Sequence, residues 1–565
     1  MTAAKTMEQG RLRRVVTGRS ATGLLLGWGA FLISLSPSLL PRPWLLQAAA
    51  SAVSTLVAYA AGALLGALLS PVCTALGLSV RVAPERRRRA VVVAASLVTT
   101  LTIAAWIAGH RGRVQTARLV GIDPPTWAAD LRAFGAACLL AAGLLFLTWL
   151  FTAAVRASRF ILAHTVPRPI AAALALVLVL AGTAWVTQSV VLSRTLDRLS
   201  GSAAQRDRQT PAGLSAPTSP LISGGPGSTQ SWADLGRQGE IFTAHTPLPQ
   251  DISEVTGRPA RQPIRVYASP AGSSVDVEEV AATVVRELDR TGAFDRPVLA
   301  LIGTTGTGWV DEFNVESVEY LTDGDCATAA MQYSFLPSPV AFVTDRELPK
   351  RAGRALVAAV ERALAARPAA SRPRLYLGGE SLGSFGMQAA FRDSADMVGR
   401  VAGAVWVGTP GATTVWDEVT ADRHRGSPQI APVIDNGRHI RFATRPEDLR
   451  RDVYGRDLGS WARPRIVYLQ HASDPIVWWQ PSLAYREPDW IGERAGADVD
   501  PALRWWPLVT FWMIGLDLTV GNNAAPGHGH IYQDDLVDAW AAVLDVPLIA
   551  QERTAIVDAI RQAQR

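Results

Sequence analysis

Cysteine is scarce in this chain of 565 residues, which contains three. Cys73 and Cys138 lie in or beside apolar segments, so Cys326 is the only cysteine in the more polar remainder of the chain. A single cysteine cannot form a disulfide within its own domain. This scarcity excludes a disulfide-stapled domain.

Lysine is almost absent as well, because only Lys5 and Lys350 occur and arginine supplies nearly all of the positive charge. The formal net charge is +6. In the N-terminal half, however, the basic residues cluster at the ends of apolar stretches, where membrane topology explains them better than nucleic-acid binding does. We therefore expect no nucleic-acid partner.

Long apolar runs are abundant before residue 195, where windows of about 20 residues carry almost no charge. Five segments are long enough to cross a bilayer, and four or six crossings fit nearly as well. The five segments are residues 21–40, 44–69, 90–108, 131–155 and 170–192. The sequence thus predicts a multi-pass protein of the cell membrane, with an all-α transmembrane domain over residues 1–200.

Basic residues are concentrated in alternate connections between these segments. They precede the first segment as Lys5, Arg11, Arg13, Arg14 and Arg19, follow the second as Arg81 and Arg86 to Arg89, and follow the fourth as Arg156, Arg159 and Arg168. The positive-inside rule then places the N-terminus in the cytoplasm. With five crossings everything after residue 192 is extracytoplasmic, and one crossing more or fewer would reverse this.

The remainder of the chain has the pattern of a water-soluble α/β domain. Residues 201–231 are rich in Ser, Gly, Pro, Thr and Gln without a hydrophobic period, which is typical of a linker. Over residues 232–565, strand-like runs alternate with amphipathic helical segments. This alternation predicts a mostly parallel sheet with helices on both faces.

The motif GESLG at residues 379–383 lies between an apolar strand-like run and a helix-like segment. On a tight turn from strand to helix, glycines two positions either side of a serine let the backbone pass closely. The motif alone is common in a chain with 47 glycines. In this context it predicts that Ser381 is a nucleophile on such a turn.

A serine nucleophile needs a base and a carboxylate that orients the base. Asp474 follows the strand-like run 465–469, although an aspartate before proline can also simply cap a turn. His528 and His530 precede the last helical segments, and we favour His530 as base because it stands directly before a helix. His528 is the alternative base, and His471 is expected to be structural.

Asp435 and Asp448 are reserve candidates for the acid, although neither follows a convincing strand. The two neighbouring histidines could also suggest a metal ligand pair. No cysteine or carboxylate completes a ligand set at a recognisable spacing. We therefore predict neither a metal nor a cofactor.

With serine, aspartate and histidine in this order, the soluble domain resembles the α/β-hydrolase fold. The whole chain resembles an actinobacterial and proteobacterial membrane family described as an α/β-hydrolase family with an N-terminal transmembrane domain. The most specific features are GESLG at 379–383, SDP at 473–475 and GHGH at 527–530. The resemblance implies a serine-hydrolase mechanism and names no substrate.

An oxyanion intermediate needs hydrogen-bond donors, and this fold supplies the backbone N–H after the nucleophile, here Leu382. The glycine-rich loop 303–309 follows a predicted strand and offers Thr304 or Thr305 as the second donor. A phosphate-binding loop is the competing interpretation. No Gly-Lys-Ser/Thr follows and the Rossmann spacing is absent, which argues against it.

Seven tryptophans fall between residues 460 and 513, and 56 positions separate Asp474 from His530. This length exceeds one helix and one strand, so we expect an inserted Trp-rich cap. The tryptophans either form ordinary core and pocket wall or lie at the membrane surface. The second arrangement would suit a lipid or acyl-ester substrate.

The leading hypothesis is a membrane-anchored serine hydrolase of the esterase, lipase or thioesterase kind. An acyltransferase would use the same three residues with a hydroxyl acceptor in place of water. A non-catalytic membrane sensor or transport-associated binding module is the alternative of another class. The sequence defines neither the substrate nor an oligomeric state.

Overall fold

The computed structural model describes residues 20–76, 84–186, 188, 201–203, 205–270 and 275–564. The basic residues before the first apolar segment, Arg81 and the end of the fifth predicted segment lie outside these ranges. The chain divides into two compact units. The helical unit comprises Met1–Val179 with Trp479–Ala524, and the sheet unit comprises Leu180–Trp478 with Ala525–Arg565.

Within the described residues, five apolar helices occupy the N-terminal part of the chain. Their bounds are Ala21–Ser34, Trp44–Ala75, Pro84–Leu119, Trp127–Leu162 and Arg168–Val186. Within the described residues, three stretches are long and apolar enough to cross a membrane: Trp44–Cys73, Arg88–Leu119 and Trp127–Leu162. Leucine, valine and phenylalanine side chains point outward along them, as they do on lipid-facing helices.

Among the described residues three stretches are full-length spans, against five in the sequence prediction, and the end of the fifth predicted segment lies outside those residues. The first helix has 14 residues, or about 21 Å at the rise of an α-helix, against about 30 Å of hydrocarbon. It ends at Ser34, before Pro37, because proline lacks an N–H and disfavours helix in the residue before it. The apolar stretch of the fifth helix, Arg168–Thr183, is also shorter than the three full-length stretches.

The first two helices pack closely through small residues. A Cβ atom on Gly62 would lie 2.7 Å from the carbonyl oxygen of Thr22, and one on Gly23 would lie 2.9 Å from that of Tyr59. Glycine allows this approach because no side chain separates the backbones. Small residues thus decide where the two helices meet.

The Trp-rich insertion belongs to the helical unit over residues 479–524. It contains the helices Asp489–Glu493 and Val509–Asp517. Trp479 Nε1 donates to the Phe511 carbonyl at 3.2 Å, and Trp505 Nε1 donates to that of Leu483 at 2.9 Å. These indoles therefore hold the insertion together internally.

The sheet unit contains seven parallel strands in the order β1-β3-β2-β4-β5-β7-β6. They are β1 Ile264–Ala268, β2 Val298–Gly303, β3 Cys326–Met331, β4 Arg374–Glu380, β5 Gly403–Val407, β6 Ile440–Ala443 and β7 Arg465–Leu469. Almost every strand residue is buried, as expected when both faces of a parallel sheet are covered.

Helices cover this sheet in two groups. Val277–Arg290, Glu347–Ala365 and Leu382–Gln388 pack together, and Pro249–Thr256, Glu312–Leu321, Asp535–Leu544 and Ala550–Ala563 form the second group. The other helices are Gly236–Ala244, Ser338–Thr344, Ser394–Arg400, Thr414–Ala421 and Pro475–Trp478. A helical region with three candidate membrane spans followed by a parallel α/β sheet confirms the predicted fold class.

The second half of the predicted linker, residues 201–231, is hydrogen-bonded to the rest of the sheet unit. The backbone N–H of Ser223 donates to the Arg265 carbonyl at 2.9 Å, and that of Thr229 donates to Glu287 Oε1 at 2.7 Å. Ile222 is buried. These contacts fix the residues that lead into the first strand.

Candidate active site

Ser381 lies on the turn between β4 and the helix Leu382–Gln388. Its φ is 53° and its ψ is −120°, a backbone conformation that is strained for a residue with a side chain. The Ser381 N–H donates to the Val407 carbonyl of the neighbouring strand at 2.9 Å. Strand, turn and helix are thus arranged as in a nucleophile elbow.

The glycines of the motif are required by close packing around this turn. A Cβ atom on Gly379 would lie 2.8 Å from the Ser384 nitrogen, and one on Gly383 would lie 2.2 Å from the Gly303 carbonyl oxygen. Real Cβ atoms do not come so close to backbone atoms. The spacing of the motif therefore reflects how tightly the helix returns over the strand.

Asp474 and His530 are brought together at the carboxyl edge of the sheet. Asp474 follows β7 and is fully buried, and its Oδ2 lies 2.7 Å from His530 Nδ1. The Ile476 N–H donates to its Oδ1 at 2.8 Å. This geometry is that of a carboxylate that orients an imidazole through Nδ1.

Tyr532 is a site residue that the sequence did not indicate. Its hydroxyl donates to Asp474 Oδ2 at 2.7 Å. Burial first, and then the charge of Asp474, raises the pKa of Tyr532 well above its ordinary value, so the hydroxyl stays protonated as a donor. No spacing rule marks a tyrosine for this role, since it depends on how the loop folds.

The remaining histidine and aspartate candidates lie outside the His530–Asp474 pair. His528 lies in the preceding turn, where its N–H donates to the Ala525 carbonyl at 3.1 Å. His471 Nδ1 donates to the Gly529 carbonyl at 2.9 Å, and its ring stacks on Tyr532. Among the reserve acids, Asp448 accepts from the Thr444 hydroxyl at 2.6 Å in its own turn, and Asp435 lies in a short 3₁₀ turn.

The second ring nitrogen of His530 faces the elbow. His530 Nε2 is buried, has no hydrogen-bond partner within the described part of the chain, and lies 3.7 Å from Glu380 Oε1. A Cβ atom on Gly408 would lie 2.4 Å from His530 Cε1, so the ring packs directly on the chain after β5. The imidazole thus lies beside the residue that precedes Ser381, with Nε2 available for a proton.

The two candidates for the second oxyanion donor differ in their hydrogen bonds. The Thr305 N–H donates to the Trp309 carbonyl at 2.9 Å and is therefore occupied. The Thr304 hydroxyl donates to the Met331 carbonyl at 2.8 Å, which fixes the loop next to Gly383. Leu382 is the first residue of its helix, where N–H groups lack intrahelical acceptors.

A small apolar cavity of about 20 Å³ adjoins these donors. Thr304 and Leu382 line it together with Met331, Tyr333, Leu356 and Met387. Such a surface accommodates hydrocarbon better than a charged group. Within the described residues, no group of three His, Cys, Asp or Glu side chains could hold a metal ion.

Two buried acids complete the site. Burial, and after it the neighbouring Asp311, raises the pKa of Glu380 well above its ordinary value. Burial and the charge of Glu312 raise the pKa of Asp311 to about 7. At neutral pH these carboxyls therefore retain protons that exposed acids would have lost.

The seven-stranded parallel sheet, the elbow after its central strand and the acid and histidine at the carboxyl edge define the α/β-hydrolase class. Residues 264–557 match the model of the alpha/beta-hydrolase family, and residues 35–247 match the model of that family's N-terminus. The chain belongs to the alpha/beta-hydrolase family, as its motifs predicted, and is a hydrolase-type protein. No curated protein and no solved structure matches it.

Proposed function

We propose that the chain is a membrane-anchored serine hydrolase that cleaves an ester or thioester with a lipophilic acyl group. The observation that carries this proposal is the strained Ser381 on its elbow, next to the His530–Asp474 pair joined at 2.7 Å. Backbone strain at such a turn persists only where the surrounding structure maintains it. A binding module would need neither the strain nor the oriented imidazole.

In the proposed reaction Ser381 Oγ attacks the carbonyl carbon of the ester while His530 Nε2 accepts the hydroxyl proton. Asp474 keeps the other imidazole proton on Nδ1 and stabilises the resulting imidazolium. His530 then returns the proton to the leaving alcohol or thiol. The acyl group remains on Ser381 until water attacks its carbonyl carbon while giving a proton to His530 Nε2. His530 then returns this proton to Ser381 Oγ as the acyl–Oγ bond breaks and the acid is released.

The tetrahedral intermediates carry a negative oxygen in each half of this reaction. We assign its stabilisation to the backbone N–H groups of Leu382 and Thr304. Leu382 also benefits from its place at a helix N-terminus, where the peptide dipoles favour negative charge. Thr305 is the weaker candidate because its N–H already has an acceptor.

The apolar side chains beside these donors are assigned to the part of the acyl group nearest the carbonyl carbon, since the cavity of about 20 Å³ has no room for more. A lipophilic substrate is further favoured by the membrane helices in the same chain, because a lipid ester is most concentrated in the bilayer. With a sugar or lipid hydroxyl in place of water, the same acyl-enzyme would transfer its acyl group. Hydrolysis is the simpler reaction because it needs no acceptor site.

The test is labelling of the full-length protein in membranes with a fluorophosphonate probe, which reacts with an activated serine. Ser381→Ala should abolish labelling. His530→Ala should slow it about 10²-fold or more, the usual contribution of a general base. His528→Ala should retain most of the rate, since its neighbour carries the base.

Ser384→Ala is the matched control, because this serine lies three positions along the same elbow. Its hydroxyl is buried and hydrogen-bonded to Thr409 at 2.7 Å, so it should contribute nothing to labelling. Labelling that survives in Ser381→Ala would contradict the proposal. A loss in His528→Ala with full reactivity in His530→Ala would move the base to His528.

A further inference from the structure

Two carboxylic acids lie side by side next to the imidazole of the candidate site. Glu380 ends β4 and is 7% exposed, and Asp311 begins the helix Glu312–Leu321 and is 8% exposed. The two carboxyl groups are close enough for each to shift the pKa of the other. Glu380 Oε1 lies 3.7 Å from His530 Nε2.

The surroundings of this pair are acidic. The charged or titratable groups that act on it are Glu312 on the helix that follows Asp311, Asp474 after β7 and His530 in its loop. Among the ion pairs of the described residues, no arginine or lysine joins either carboxyl group. Two neighbouring carboxylates without a cation cannot both ionise easily in a buried site.

Hydrogen bonding also favours a shared proton. Glu380 Oε2 is buried and has no donor among the described residues. An ionised Glu380 would therefore leave a buried oxygen unsatisfied, which costs free energy. A proton between the two groups lets one carboxyl donate to the other and removes this cost.

Building on the proposed function, we propose that Glu380 and Asp311 hold one proton between them and act as a positioning pair for His530. Glu380 is then neutral and presents Oε1 to the imidazole without drawing it away from Ser381. Asp311 carries the remaining negative charge. When His530 accepts the Ser381 proton, this charge stabilises the imidazolium, while the shared proton stays between the two acids.

The pair also makes serine reactivity depend on pH in a defined direction. The pKa of Asp311 is raised to about 7 by burial and by Glu312. Below that pH the pair gains a second proton and loses the charge that stabilises the imidazolium. We therefore expect the labelling rate to increase as the pH rises through about 7.

The experiment measures the rate of fluorophosphonate labelling between pH 5 and pH 9 in the wild type, Glu380→Gln and Asp311→Asn. Glutamine keeps the shape and neutrality of a protonated Glu380 and can donate to Asp311, so its rate should stay within a few-fold of the wild type. Asparagine still caps the helix but carries no charge. Asp311→Asn should be about tenfold slower at pH 8 and show a shallower pH profile.

An unchanged pH profile in Asp311→Asn would overturn the proposal, as would a loss in Glu380→Gln as large as that in His530→Ala. The second result would mean that Glu380 acts as a carboxylate. Glu361→Gln is a matched control, since its carboxylate pairs with Arg400 on the unit's surface, and it should leave the profile unchanged.

Infrared spectroscopy of the full-length protein tests the shared proton without any activity. The difference spectrum between wild type and Glu380→Gln at pH 8 should contain the carbonyl band of a protonated carboxylic acid, because other buried acids such as Glu316 cancel in the difference. Absence of the band overturns the pair even if Ser381 is labelled. The band with no labelling of Ser381 would instead support the pair and contradict the proposed hydrolase mechanism.

Discussion

Two of the places where the sheet unit buries acidic side chains differ in how the charge is balanced. Glu319 faces Arg265, whose Nε and Nη2 donate to its two oxygens at 2.7 and 2.6 Å, and both side chains are fully buried. At the elbow Glu380 and Asp311 are 7% and 8% exposed, and no ion pair of the described residues joins either to an arginine or lysine. The first place has a complete ion pair beside the buried Glu316, and the second has acids that must keep protons.

One helix contributes to both places. Glu312–Leu321 carries Glu319 along its length and begins beside Asp311. At the ion pair Arg265 Nη1 also donates to the Phe242 carbonyl at 2.6 Å, so the donors are directed at fixed acceptors. Compensated charges thus hold this fold together, whereas uncompensated buried acids are typical of places where protons move.

In the helical unit, two buried aspartates are likewise paired with arginines. Arg42 Nη1 lies 3.0 Å from Asp517 Oδ1 with both side chains buried, and the Ser38 hydroxyl also donates to Asp517. Arg113 is paired with Asp130 at 2.8 Å in the same way. Charges among apolar helices are costly unless paired, so these pairs fix the Trp-rich insertion and the helix connections.

The largest expected effect comes from removing one half of the complete pair. Glu319→Gln leaves the Arg265 charge buried without its bidentate acceptor, and breaking such a pair costs about 3–5 kcal/mol. Glu316, 3.6 Å from Arg265 Nη2, can ionise in compensation, which favours the lower end of this range. The measurement is the midpoint of urea unfolding of the full chain in detergent.

The double variant Arg265→Met with Glu319→Leu is the control for this effect. It removes both charges and fills the same space with apolar side chains, so it should be less destabilised than Glu319→Gln alone. Equal losses in the two variants would show that packing rather than charge is responsible. The difference between this ion pair and the acids at the elbow would then not be one of charge balance.

Some of this arrangement could be predicted from the sequence because its cause is local. β7 follows the predicted bounds, 465–469, since an apolar run and turn residues delimit it. Ser381 is indicated by its glycines and by the strand before it. β6, with four residues, is too short to give such a pattern.

The remaining features depend on contacts between distant parts of the chain. Glu380 stands inside the predicted motif, but its partner Asp311 lies 69 positions earlier and is brought to it only because β2 pairs with β4. Asp517 meets Arg42 across 475 positions. No periodicity of the sequence encodes either distance.

A second prediction concerns the pH dependence of stability at the elbow. The pKa of Asp311 is raised to about 7 in the folded protein, so between about pH 4 and 7 the folded chain keeps a proton that the unfolded chain has released. Stability should therefore decrease as the pH rises through this window. Asp311→Asn removes the titrating group and should flatten the decrease by on the order of 2 kcal/mol.

The measurement is the unfolding midpoint of wild type and Asp311→Asn at several pH values in that window. Asparagine retains the helix cap, so the two proteins should be closest at pH 4, where Asp311 is protonated. A constant difference between them at every pH would contradict a raised pKa. A wild type that gains stability towards pH 7 would contradict it as well.

The smallest expected effect is at an ion pair on the surface. Arg286 and Glu279 lie 2.8 Å apart, nearly the same distance as Arg265 and Glu319, but their side chains are 52% and 66% exposed. Water already solvates both charges, so Glu279→Gln should change the unfolding free energy by about 0.5 kcal/mol or less. Because the charges and the distance are matched, the difference from Glu319→Gln isolates burial as the cause. If the two substitutions lower the unfolding free energy equally, burial does not decide the energies of these ion pairs. The lack of a paired cation at Glu380 and Asp311 would then carry no weight.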